Sequence, residues 1–475
     1  MQLEADAFKF FGSRRWLIAL VVSSVLCVLA FSSAVWSGTS EQTISQSTIF
    51  ASSNTLDGAF HLPVPKQYSA SKNRLSKFNS SLLLNGFPTE SFRDNLRDDH
   101  LYVTSFPSNG LTNQVISYMN LIYLGLITER IPIVPRFTPV NMPENSPELD
   151  FGEVFDILRL QQGLDLPVLE WHQVKDPNSQ FLDDLGCWNI LNSMFHTSGM
   201  YHPPPGSLKL DISYTTPPDW VQYRGELNDW QYPHTLFWPL ASLAFTDTRK
   251  WTPNEPERSP VHEVSLSPDE GQMLCYDMLY YVGAHEVFEF TQDLSPAWRF
   301  VGTYMHWNPN LERLAKIYIR QALGIAPRAP IPPYIAVHAR RTDFNIWCDG
   351  VPESECYIEL SAIVRRVEEV KAEIWAKKRI LVTRVIITSD ESNPSWWDEV
   401  RKLGWCWPDH SEAKTAEIYG PWHPMLIDAV IQSSAVGFVG TDRSTVSALS
   451  GRRVESWNHG VTRTVLWGKP GADDH

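Results

Sequence analysis

The chain has 475 residues, is 43% hydrophobic and carries 19 Trp, enough for two or three domains with large cores. Its formal net charge of −14 repels nucleic acid and anionic lipid, which argues against a nucleic-acid partner. Any phosphate site must then be a local cationic pocket rather than a basic face.

No residue from Trp16 to Trp36 is charged. About twenty helical residues span roughly 30 Å, the thickness of a bilayer core. Lys9, Arg14 and Arg15 precede the run, and no Lys or Arg follows until Lys66. The positive-inside rule therefore predicts a cytosolic tail (1–15), a signal-anchor (16–36) and a lumenal body, a type II arrangement in the endoplasmic reticulum or Golgi membrane. A cleaved signal peptide ending near Ser32 and Ala34 is the competing reading, and the length of the apolar run favours the anchor. Residues 37–95 are rich in Ser and Asn and read as a flexible stem, with a glycosylation sequon at Asn79-Ser80-Ser81. Five cysteines follow the span, an odd number that leaves at least one unpaired. Cys348 and Cys356 are close in sequence and suit a short-loop disulfide in an oxidising lumen.

The body opens with a strand at Leu101–Thr104. It turns at Ser108-Asn109-Gly110 into a helix whose apolar residues run from Leu111 to Leu124 at helical spacing. Ile131–Val134 is the next strand, which completes a βαβ unit. Residues 137–300 are rich in Pro, Trp and Tyr and read as loops and short helices. A helix over 309–323 and a Pro-rich linker at 327–333 lead to a second α/β unit. Its strands are Tyr334–His338, Val385–Thr388 and Val436–Gly440, and its helices are about Cys356–Lys377 and Met425–Ser434. Strand–helix alternation predicts parallel, doubly wound sheets, in domains of residues 96–330 and 331–475.

Four features carry chemistry. Gly110-Leu111-Thr112-Asn113-Gln114 places unpaired backbone N–H groups at a helix start, where anions bind. His338-Ala339-Arg340-Arg341-Thr342-Asp343 ends a strand in a cationic fork suited to phosphate oxygens. His338 and Arg340, two apart, share a strand face. Arg341 counts with them as a binding residue, although on a continuing strand it points the other way. In Thr388-Ser389-Asp390-Glu391, Ser389 reads as the N-cap of a helix through Trp396–Leu403. Gly440-Thr441-Asp442-Arg443-Ser444-Thr445 is a second cradle of the first kind. Asp428, on the preceding helix, has the acceptor geometry for a guanine edge. The chain has no D-x-D triplet and no zinc-ligand spacing, so no metal is expected.

The ordered run G-L-T-N-Q, F-G-E-V-F-D-I (Phe151–Ile157), H-A-R-R-T-D-F, T-S-D-E and F-V-G-T-D-R-S-T-V-S resembles the GDP-fucose protein O-fucosyltransferase superfamily, as a divergent member over about residues 100–468. The resemblance implies a GT-B-like α/β fold, two Rossmann-like domains facing a cleft. It also implies inverting, metal-independent transfer of fucose from GDP-fucose to a protein or glycan hydroxyl. On that pattern Arg340 holds the β-phosphate and His338 contacts the nucleotide. Asp428 binds guanine, Ser444 and Thr445 bond the diphosphate, and Gly110 and Asn113 line the cleft near the sugar. The chain departs from some relatives in lacking a Glu before the first glycine, where it has Ser108-Asn109. Asp343, Asp349 and Glu391 are the candidate replacement bases, with Asp343 catalytic beside Arg340. The alternatives are another nucleotide sugar on the same fold, or an inactive, membrane-anchored binding protein.

Overall fold

Two parallel sheets organise the chain. In the computed structural model the described residues are 78–474, without 108, 141, 192–204, 222–234, 246, 248–253, 269–270, 287 and 349. The apolar run 16–36 and the stem up to residue 77 lie outside them. Among the described residues no helix is long and apolar enough to cross a membrane.

The first sheet contains β1 (Tyr102–Ser105), β2 (Ile131–Val134), β3 (Leu169–Glu170), β4 (Asp183–Trp188), β5 (Leu210–Thr215) and β6 (Met273–Tyr276), in the order β3-β2-β1-β6-β4-β5. All its pairings are parallel. The chain winds outward from β1 to β3, crosses to β4 and β5, and returns to lay β6 beside β1. The order reverses between β1 and β6, where open α/β sheets bind ligands. Helix α1 (Leu111–Thr128) follows β1 and is buried along most of its length, Ile116, Leu121, Ile122 and Leu124 completely.

The second sheet contains β7 (Tyr334–Ala339), β8 (Arg384–Ser389), β9 (Gly437–Thr441) and β10 (Val461–Val465), in the parallel order β8-β7-β9-β10. Its helices are α3 (Leu360–Lys378), α4 (Pro394–Lys402), α5 (His423–Ser433) and α6 (Thr445–Asn458), preceded by α2 (Pro309–Ala322). One apolar cluster runs from Val103 and Leu274 of the first sheet to Ala336, Ile386 and Phe438 of the second.

Two sequence expectations are corrected. Residues 137–300, read as loops and short helices, supply four of the six strands of the first sheet. These strands are two to six residues long and almost wholly buried, so the alternation that marks a half-exposed strand is missing. Residues 78–95, counted with the flexible stem, instead carry two one-turn helices, Ser80–Leu83 and Phe92–Asn95. Leu83, Leu84 and Phe92 pack into a core with Tyr102 and Trp171. Polar residues dominate that stretch, yet few large apolar side chains are needed to anchor so short a segment.

Cys348 is disulfide-bonded to Cys356, and Cys187 to Cys275, which joins neighbouring strands β4 and β6. Cys406 is the free cysteine among the described residues, and burial pushes its thiol up to about 11.

Candidate active site

The helix starts of the two sheets meet. Each is reached through a residue in the left-handed region, Asn109 (φ 60°) before α1 and Arg443 (φ 61°) before α6. Ser444 caps α6 by accepting from Ser447 N at 3.3 Å. Gly110 stands at the cap of α1 and offers no side chain. A methyl group added there would meet nothing within 4 Å, so the turn faces open space. Thr445 Oγ1 donates to Asn113 Oδ1 at 2.9 Å. Its hydrogen is then used, so Thr112 Oγ1 donates to Thr445 Oγ1 at 2.7 Å. Asn113 and Thr445, expected to line one cleft, are brought together and bonded to each other.

His338 lies directly beneath this junction, at the end of β7. It is 6% exposed, and its Nδ1 is 2.8 Å from Ser447 Oγ. That oxygen accepts from Thr441 N at 2.9 Å, and since no other acceptor for its hydrogen lies within reach among the described residues, the hydrogen is assigned to Nδ1. The imidazole proton is thereby assigned to Nε2, which presents a donor rather than a base. Burial first, and the Arg340 charge second, lower its pKa to about 3, so the ring is neutral at ordinary pH. Thr441 Oγ1 donates to His338 O at 2.8 Å and accepts from Arg340 N at 2.9 Å. Gly440 makes the packing possible: a Cβ there would lie 2.7 Å from Ser447 Cβ.

Arg340 is held by carboxylates. Its Nε donates to Asp343 Oδ1 at 2.7 Å, and its Nη2 to Asp343 Oδ2. Asp390 lies 3.5 Å from Nε. The guanidinium side chain keeps 31% exposure, so it is oriented without being sealed. Arg341, two residues past the end of β7, turns to other partners. Its Nε donates to Glu391 Oε2 and its Nη1 to Ile358 O, and its guanidinium sits between the rings of Tyr357 and Trp396. Burial would raise the Glu391 carboxyl, but bonds from Asn393 N and Arg341 outweigh it and lower the pKa. Arg341 is thus a fastening between the end of β7, the segment before α3, and α4. Ser389 is corrected as well: Asn393 caps α4, while Ser389 Oγ donates to Ala339 O at 2.6 Å. The cap sits next to Pro394 because Pro fits the first helical position.

Asp428 lies apart from this group. Its Oδ1 accepts from His410 Nε2 at 2.9 Å, His410 Nδ1 is 3.1 Å from Thr415 Oγ1, and Thr415 is bonded to Tyr318 OH. Burial raises its pKa against the pull of His410. No hydrogen bond or ion pair joins it to the His338–Thr445 group among the described residues. Gln432, one turn further along α5, does reach across: Nε2 donates to Thr388 Oγ1 at 2.9 Å, and Oε1 accepts from Ser450 Oγ at 2.7 Å. Asn79 Oδ1 accepts from Ser81 N and caps the first short helix. Of the three proposed bases, Asp343 and Glu391 are bonded to arginines and Asp349 lies outside the described residues. A cleft of 390 Å³ lined by Gly152, Glu153, Asn308, Leu311, Tyr419 and His423 contains none of the predicted site residues.

The sequence reading gave no role to Thr112, Thr441, Ser447 or Asp277 and left that of Asp390 open. The signal for Ser447 was present, since it stands three residues after the cap Ser444. Asp277 follows β6 at the point where the strand order reverses, is fully buried, and accepts from Ile190 N at 2.7 Å and Leu191 N at 3.3 Å. Burial raises its pKa to about 7.

This is a constellation of backbone N–H groups, hydroxyls, a neutral imidazole donor and a positioned guanidinium, suited to a multiply charged oxyanion. A model of the GDP-fucose protein O-fucosyltransferase family matches residues 102–455, well over half of the chain. The chain belongs to this family and is a glycosyltransferase. Solved structures that resemble it include POFUT1 in complex with GDP-fucose, 15% identical with a TM-score of 0.48, covering 78% of this chain and 99% of that one. NodZ alpha-1,6-fucosyltransferase soaked with GDP-fucose is 13% identical with a TM-score of 0.36, covering 75% and 93%. Fucosyltransferase NodZ from Bradyrhizobium is 13% identical with a TM-score of 0.37, covering 74% and 93%. No curated protein sequence matches the chain.

Proposed function

We propose that the protein is an inverting, metal-independent transferase that moves fucose from GDP-fucose to a hydroxyl of a protein or glycan. The observation that carries this reading is the meeting of the α1 and α6 starts beside His338 and Arg340, within a chain of this family. In a GT-B-like arrangement the diphosphate lies between the two sheets. As the bond from the anomeric carbon to the β-phosphate oxygen breaks, the electron pair passes to that oxygen. Arg340 stabilises the growing charge, and His338 Nε2–H, Ser444 and Thr445 add neutral donors. The acceptor oxygen bonds to the opposite face of the anomeric carbon. Asp343 works through Arg340 by aiming it, leaving the acceptor proton to another carboxylate. The body is lumenal and anchored by residues 16–36. The two disulfides and the Asn79 sequon support an oxidising secretory compartment.

Arg340→Ala tests the reading. Turnover of GDP-fucose should fall by about 10² to 10³, while Arg340→Lys, keeping the charge but not the fork, should recover only part of it. Calorimetric titration with GDP-fucose, GDP-mannose and a UDP-sugar should rank GDP-fucose first. Full turnover in Arg340→Ala would reject the assigned role. The bonding of both Asp343 and Glu391 to arginines favours one second reading, a binding protein without turnover. That reading predicts GDP-fucose binding with no release of free fucose or fucosylated product.

A further inference from the structure

Four arginines are buried among the described residues: Arg130, Arg366, Arg452 and Arg453. Three have acceptors for part of the guanidinium, although Arg130 Nε and Arg452 Nε are also buried without one. Arg130 donates to the carbonyls of Tyr102 and Ala244, Arg366 to Asp473 and Glu369, and Arg452 to Asp293 and Glu455. Arg453 is 2% exposed, the most buried of the four, and has no ion pair or hydrogen bond among the described residues. Its Nε is sealed from solvent without an acceptor.

What surrounds it is aromatic. The guanidinium carbon lies 4.2 Å from the centre of the Trp307 ring, 5.5 Å from Trp457 and 5.8 Å from Phe155. Phe155 stacks on Trp307 and His306 on Trp457. Ring faces attract a cation, but they accept none of its five N–H hydrogens in the plane of the fork. Arg159, exposed, and Arg453 both act on His306, whose pKa is lowered to about 4, mainly by burial and then by these two charges. Asp156, the carboxylate on this side, accepts from Arg159 N as the cap of its own helix and makes no bond to Arg453. His306 and Trp457 are half-buried. A buried guanidinium is retained when its charge is met, and here the protein supplies rings and no bonded carboxylate.

We propose that Arg453, with the box of Trp307, Trp457, Phe155 and His306, is a binding site for a small oxyanion, a phosphate or carboxylate that accepts the free guanidinium fork. The site is separate from the donor cradle. Arg453 lies eight residues along α6 from Thr445, about 12 Å at 1.5 Å per residue, and its partners come from the Phe155 and His306–Trp307 segments rather than from β7.

Thermal unfolding of the full protein with added inorganic phosphate or acetate, against chloride at equal ionic strength, tests this. Phosphate or acetate should raise the midpoint of the wild type. Arg453→Met, close in volume and uncharged, should lose that increment while unfolding at a higher midpoint in chloride. Arg453→Lys keeps a charge over the rings without the fork and should bind the better anion about tenfold more weakly. A larger increment with acetate would support the site and assign it to a carboxylate. Saturating GDP fills the cradle if the donor reading holds and is inert if that reading fails. Either way the increment controlled by Arg453 should persist. An equal increment in wild type and Arg453→Met, or in wild type and Arg453→Lys, or none in the wild type, would overturn the site.

Discussion

His338 shows how one hydroxyl decides what a ring can do. Because Ser447 must give its hydrogen to Nδ1, the imidazole is a fixed donor through Nε2. Its folded pKa of about 3 lies below the ordinary value of about 6.5. The folded protein therefore binds fewer protons than the unfolded chain between these values. The stability contributed is full above pH 6.5 and is lost as pH falls toward 3. Turnover should show no step from His338 between about pH 5 and 8. Ser447→Ala leaves the buried Thr441 N–H without its acceptor, so denaturant unfolding should show a loss of about 1–3 kcal/mol. Ser447→Thr, which keeps the hydroxyl, should recover most of that loss.

At the scale of elements, the site is made where β7 and β9 end and α1 and α6 begin. The approach of β9 to α6 depends on Gly440, whose added Cβ would press on Ser447 and Phe438. Gly440→Ala should destabilise by about 1–3 kcal/mol, as overpacking does, and should weaken GDP binding in parallel, read by unfolding and calorimetry. Much of this level was legible in the sequence. Both cradles, the His338–Arg340 face and the strands around them follow from short apolar runs stopped by Gly and hydroxyl residues. What was not legible depends on contacts distant in sequence. Thr112 and Asn113 meet Thr445 across more than three hundred residues, and nothing in G-L-T-N-Q says which hydroxyl they will find. Ser389 was misread as a cap because it looks like one locally, whereas its partner, Ala339, is on the neighbouring strand. The strands of the middle segment escaped notice because burial on both faces erases their alternation.

At the scale of the whole molecule, the long excursion between β4 and β6 is closed by Cys187–Cys275, with a sequence separation of 88. Closing a loop of that size restricts the unfolded chain and contributes about 4 kcal/mol in the chain-entropy account. The double variant Cys187→Ala/Cys275→Ala should unfold at markedly lower denaturant, while Cys406→Ala should change the midpoint little. A folded sample should resist alkylation at Cys406, whose buried thiol titrates near 11. The bridge of Thr112, Asn113 and Thr445 has a kinetic meaning at this scale. On the proposed reading, a donor that engages Asn113 with its sugar and Thr445 with its diphosphate must first part them, so its arrival exchanges one set of hydrogen bonds for another and releases less heat than the new contacts alone would give. The reverse exchange helps the spent nucleotide leave. A junction that re-forms behind a departing product favours rapid turnover over a long-lived complex.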